Sequence, residues 1–131
     1  MTHYRLAVSP QDYKLAHQLF KSEGIEDVDE LSFPTMTAWD DGTLVGVLST
    51  HITDKVIVAG PMVIKNDKPR YWTLIRLIEQ YERVMKQAGV TQFVFSVPVD
   101  QYPRYVEQID KLGMKPYAQE GGRNFYVRNL G

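Results

Sequence analysis

The chain contains no cysteine, which excludes disulfide frameworks, thiolate metal sites and cysteine nucleophiles together. It also lacks a long hydrophobic run: the longest apolar stretch, Val56 to Ile64, is far short of the ~20 residues that span a bilayer. Neither sign of charge is in excess. Fifteen Lys and Arg stand against 16 Asp and Glu, for a net charge of -1 and a pI near 6.3. No global positive field draws such a chain onto phosphate backbones or anionic lipid, so nucleic acid and membrane are not expected partners. Histidine is scarce, and the residues at 3, 17 and 51 show no ligand spacing, so no metal is expected. The opening segment Met1 to Pro10 has no secretory-type apolar core, which gives the expectation of a cytoplasmic location.

The remainder suits one α/β (α+β) domain over residues 1–131, with 44% of residues hydrophobic and 24% charged. Tyr4 to Val8 reads as a strand. Ser9-Pro10-Gln11-Asp12 then offers a cap, a first-turn proline and an acidic residue three after the cap, so a helix is expected to start there and end near Gly24. Thr35 to Trp39 and Leu44 to His51 are β-rich runs joined by Asp40-Asp41-Gly42, a hairpin signal. After the turn at Thr53-Asp54, Val56 to Ile64 forms a third strand interrupted by Gly60-Pro61, where a bulge or a splayed edge is expected. Leu74, Ile75, Ile78, Tyr81, Val84 and Met85 recur at helical period up to Gly89. A strand over Thr91 to Val97, a helix from Asp100 to Gly113 carrying Tyr105, Val106, Ile109 and Leu112, and a hairpin around Glu120-Gly121-Gly122 complete the order.

That order, with Leu44-Val45-Gly46 after an Asp-Gly turn, Ala88-Gly89-Val90 ending the long helix and Lys111-Leu112-Gly113-Met114 before the last strands, resembles the GNAT superfamily of N-acetyltransferases over nearly the whole chain. The resemblance implies a mixed, mostly antiparallel twisted sheet with helices on both faces and a splayed central pair of strands. It further implies acetyl-coenzyme A, or another acyl-coenzyme A, as co-substrate. Its pantetheine arm would lie along the backbone of Met62, Val63 and Ile64, with its pyrophosphate at the start of the long helix. Free N–H groups and the positive helix end suit phosphate there.

The phosphate loop of the family maps onto Lys68-Pro69-Arg70-Tyr71-Trp72-Thr73. This sequence departs from the family pattern because the loop has no glycine and Pro69 has no N–H to offer. Lys68 and Arg70 supply charge-assisted bonds as a substitute. Trp72 has two readings: with Tyr71 it stacks an adenine, or it belongs to the core-facing first turn of the helix. In many family members a tyrosine near the end of the last helix protonates the departing thiolate. Ile109 occupies that slot here, which leaves Tyr102 and Tyr105 as candidate acids or as amphipathic core edge. His51 and Asp54 read either as a base near the substrate or as solvated turn residues.

The expected function is therefore acyl transfer from a coenzyme A thioester to an amine, with a homodimer allowed. The alternative is a GNAT-fold binding or virion module without catalysis, because the chain also resembles small acetyltransferase-like proteins of tailed phages.

Overall fold

A computed structural model of the chain describes residues 2–25, 28, 31–54, 56–65, 70–98 and 113–130. β1 (Thr2–Leu6) leads into α1 (Pro10–Ser22). Three antiparallel strands follow: β2 (Ser32–Asp40), β3 (Thr43–Thr53) and β4 (Val56–Ile64). α2 (Arg70–Gln87) then precedes β5 (Gln92–Pro98), and β6 (Lys115–Glu120) and β7 (Arg123–Asn129) close the chain. The expected helix between Asp100 and Gly113 lies outside the described residues. Strand ends move by one to three residues from the sequence reading, as hydrophobic patterning fixes the middle of a strand better than its ends.

The seven strands form one sheet in the order β1-β2-β3-β4-β5-β7-β6. Every neighbouring pair is antiparallel except β4 and β5. α1 starts as its sequence dictates. The Ser9 side chain accepts from the Asp12 N–H at 3.1 Å, and the Asp12 carboxylate accepts from the Val8 and Ser9 N–H groups. Arg5 of β1 grips the same carboxylate through two nitrogens at 2.8 and 3.0 Å, tying helix to sheet.

The two helices pack on opposite faces. Ala16, Leu19 and Phe20 of α1 pack with Leu44, Val47 and Val63, whereas Leu74, Leu77, Ile78, Tyr81 and Met85 of α2 pack with Met36, Leu48, Phe93 and Phe95. The buried stripe of α2 thus runs through Leu77, with Ile75 and Val84 only half-buried. One irregularity in β3 brings α2 close. Ala38 lies opposite Gly46 and Trp39 opposite Leu44, so Val45 is an extra residue. Such a bulge turns two successive residues to one face. Val45 therefore joins the α2 core, and Gly46 also faces α2. There the approach of β3 to the helix is tight: a Cβ would stand 3.1 Å from Leu77 Cδ1 and 3.2 Å from Thr73 Cγ2.

Candidate functional site

β4 and β5 run side by side for only two paired positions. Val58 lies beside Val94 and Ala59 beside Phe95, and beyond them the ladder stops. Gly60-Pro61 comes next, with Gly60 at φ 153°, a conformation that L side chains rarely adopt. Against β3, the same place carries an extra residue, since Leu48 faces Met62 while Thr50 faces Ala59. The bulge and the gap expected from Gly60-Pro61 are both present.

The direction of the backbone groups follows from one hydrogen bond. The Lys65 N–H donates to the Val45 carbonyl of β3 at 2.8 Å. Polar groups alternate sides along an antiparallel strand, so those of Val63 also turn to β3, and those of Met62 and Ile64 turn toward the β5 side. Of the three residues expected to line a ligand, two therefore present N–H and C=O groups to the gap, and Val63 holds the strand in the sheet.

The opposite wall comes from β5. The Leu130 N–H donates to the Thr91 carbonyl at 2.8 Å, and the register with β7 continues without interruption to Pro98. By the same alternation, Ser96 turns its carbonyl toward β4 and into the gap. Arg123, at the start of β7, reaches over β5 to this point. Its Nη2 donates to the Ser96 carbonyl at 3.2 Å and its Nε donates to the Ser96 Oγ. Ser96 is 6% exposed, and Gly60 is its neighbour across the gap: a Cβ there would lie 3.9 Å from Ser96 Cβ. Neither Ser96 nor Arg123 was singled out by the sequence. A serine interrupting the apolar run Phe93 to Val97 was the one available signal.

α2 begins at Arg70, and the N–H groups of its first turn have no partner within the helix. That turn itself contains no acidic residue, and a helix start carries a partial positive charge. Thr73 is not open to a ligand through its side chain. It is 6% exposed and packs toward Gly46. Burial pushes the Tyr4 phenol up, with Arg76 and Thr73 opposing. Trp72 is 61% exposed. This corrects the reading of Trp72 as a core residue: it lies off the stripe of Thr73, Leu74, Leu77 and Ile78 that faces the sheet.

Lys68, Tyr102 and Tyr105 lie outside the described residues, as do the side chains of Arg70 and Tyr71. His51 and Asp54 are exposed and sit at the opposite end of the β3–β4 hairpin from Met62 and Ile64. Among the described residues no group of three or more His, Asp or Glu is placed to hold a metal ion, and no helix is long and apolar enough to cross a membrane.

No protein-family model matches the sequence, and no curated protein matches it. Solved structures do match in shape. An acetyltransferase of the GNAT family from Staphylococcus aureus Mu50 superposes with a TM-score of 0.78 at 11% identity, covering 100% of both chains. The chain has the GNAT fold. Other GNAT-like neighbours were solved with ligands. PaiA N-acetyltransferase from Thermoplasma acidophilum, in complex with coenzyme A, has a TM-score of 0.75 at 14% identity, covering 98% of this chain and 99% of that one. Diaminobutyrate acetyltransferase from Paenibacillus lautus, in complex with L-2,4-diaminobutyric acid and coenzyme A, has a TM-score of 0.74 at 12% identity, covering 99% and 95%. The mixed sheet, the helices on opposite faces and the parted pair β4 and β5 are the architecture that the sequence resemblance implied.

Proposed function

We propose that this chain is a single-domain, cytoplasmic acyltransferase that moves an acetyl or other acyl group from acyl-coenzyme A to an amine. The observation that carries this reading is the gap that opens beyond Ala59 and Phe95, flanked by the outward-turned backbone groups of Met62 and Ile64. An extended, amide-bearing arm such as pantetheine matches an unpaired strand edge, because it bonds as another strand would. The first turn of α2 comes soon after β4, contains no acidic residue and offers helix-start N–H donors, which suits a pyrophosphate. These features fit coenzyme A, and the solved neighbours with coenzyme A bound support the same assignment.

Acyl-coenzyme A supplies the thioester that the amine attacks. The residues of this chain then have separable tasks. The backbone of Met62 and Ile64 holds the arm in register, and N–H groups along this edge polarise a carbonyl laid against it. The first-turn N–H groups, with Lys68 and Arg70, hold the phosphates by charge-assisted bonds in place of a glycine loop. Holding both reactants at one position removes much of the entropic barrier to their encounter.

Calorimetric titration with acetyl-coenzyme A, followed by a thiol-release screen over small amines, polyamines and peptides, tests the proposal. Saturable binding with turnover supports it. A second reading, a GNAT-fold binding module, is favoured by Pro69 and the absence of glycine in the loop, which remove backbone donors from the phosphate site. Tight binding without turnover on any amine establishes that second reading instead.

A further inference from the structure

Ser96 has a hydroxyl group that is half used. Its Oγ accepts from Arg123 Nε, and an arginine side chain has only donors to give. The hydrogen of the Ser96 hydroxyl must therefore find an acceptor elsewhere, and none is present among the described residues. A buried donor without an acceptor loses its bonds to water and gains nothing in return. Such a group, 6% exposed, stands at the first residue of β5 beyond the ladder, directly across from Gly60 and at the apex of the gap. Its geometry is fixed twice over, because the same guanidinium also binds the Ser96 carbonyl.

We propose that Ser96 is a catalytic hydrogen donor and that its acceptor is the sulfur of the departing thiol, with Arg123 as the positioning residue. The proposal rests on the acyltransferase reading above. As the amine nitrogen forms its bond to the acyl carbon, the carbon–sulfur bond breaks and its electron pair goes to sulfur. The Ser96 proton passes to that sulfur, and the Ser96 oxygen takes back the proton that the nitrogen must shed. The net change is transfer of one amine proton to the thiol, with Ser96 restored.

Arg123 makes this possible for two reasons. An oxygen that accepts a charge-assisted hydrogen bond is a stronger donor through its own hydrogen, and the transient negative charge on oxygen and sulfur develops beside a fixed cation.

The test compares wild type with Ser96→Ala and Ser96→Cys, using acetyl-coenzyme A and its selenoester analogue with an amine acceptor found in the screen. A selenolate leaves readily without a proton, so the need for a donor disappears with it. Ser96→Ala is expected to lower kcat on the thioester by ~10²–10⁴-fold, the usual span for lost acid–base help, and to lower it far less on the selenoester. Coenzyme A affinity and melting temperature are expected to stay near wild type, and Ser96→Cys, which keeps a weak donor of similar size, to recover part of the rate. Equal losses on both esters, or undiminished turnover by Ser96→Ala, overturn the role of Ser96 while leaving the acyltransferase reading intact. Wild type that binds no coenzyme A and turns over no amine overturns both.

Discussion

Gly46 and Thr73 meet with little room to spare: a Cβ on Gly46 would stand 3.2 Å from Thr73 Cγ2, with Leu77 Cδ1 at 3.1 Å. Both neighbours belong to the first half of α2. Gly46→Ala requires the Leu77 and Thr73 side chains, or the turn that carries them, to give by a few tenths of an ångström. Overpacking of this kind costs about 1–3 kcal/mol. Denaturant unfolding is expected to show that loss, and calorimetry a weaker affinity for coenzyme A, because the displaced turn carries the N–H donors of the phosphate site.

The Arg5 guanidinium beside Asp12, together with the Val8 and Ser9 N–H groups, holds the Asp12 carboxyl well below the usual carboxylate range. A depressed folded value means that the stability contributed is complete above the unfolded value of ~3.9 and is lost as pH falls below it. Asp12→Asn is expected to cost about 1–3 kcal/mol at pH 7, the range for hydrogen bonds to a charged group. The gap to wild type should narrow between pH 4 and pH 2. Thermal melts across that range check the direction: a constant gap would separate Asp12 from the acid limb.

Tyr81 is fully buried and its hydroxyl lies 2.7 Å from Thr50 Oγ1, which itself donates to the Pro34 carbonyl at 2.7 Å. Tyr81 is therefore the donor of the pair. Burial pushes its phenol up to about 12. A raised folded value gives stability that is complete below the unfolded value of ~10 and lost as pH rises toward the folded one. Tyr81→Phe is expected to cost about 0.5–1.5 kcal/mol at pH 7 and to flatten the alkaline decline, as read from urea unfolding at pH 7 and pH 11.

Arg70 opens α2 in a loop with few other donors. Arg70→Ala is expected to weaken coenzyme A binding by about 1.5–3 kcal/mol, the worth of hydrogen bonds to a charged partner. Dephospho-coenzyme A, titrated in parallel, should show a similar loss if the pyrophosphate is the group recognised. Unchanged affinity would place the phosphates elsewhere.

Local signals carried well from sequence to structure. The Ser9 to Asp12 cap is made by residues three apart, the Asp41-Gly42 turn needs the positive φ that both residues adopt, and Gly60-Pro61 breaks a strand by its own chemistry. What depended on distant partners did not carry. Ser96 and Arg123 are 27 residues apart and meet only because β5 and β7 pair, so neither neighbourhood in sequence announces the contact. The bulge at Val45 changes which face Val45 shares with Gly46, and periodicity alone does not register one extra residue. Of the two readings of Trp72, the core-facing one fails, because its angular position on the helix lies off the buried stripe.

The two-residue contact between β4 and β5 makes the sheet two plates joined along a short seam, β1 to β4 on one side and β5, β7 and β6 on the other. α2 bridges them like a strut. Its first turns lie against Gly46 on one plate, Tyr81 stacks edge-on to Phe93 at 5.4 Å on the other, and Glu82 grips Arg128 of β7 at 2.6 Å. Tyr81 also bonds Thr50 of β3, so the middle of the helix is tied to both plates, and beyond Ala59 and Phe95, where Met62 and Ile64 face Ser96, no ladder joins β4 to β5. Under the proposed function, spreading of the plates and entry of a long flexible molecule would be the same displacement. A cross-strut that stiffens α2 against both plates would slow admission and release together without altering a single group that touches the guest.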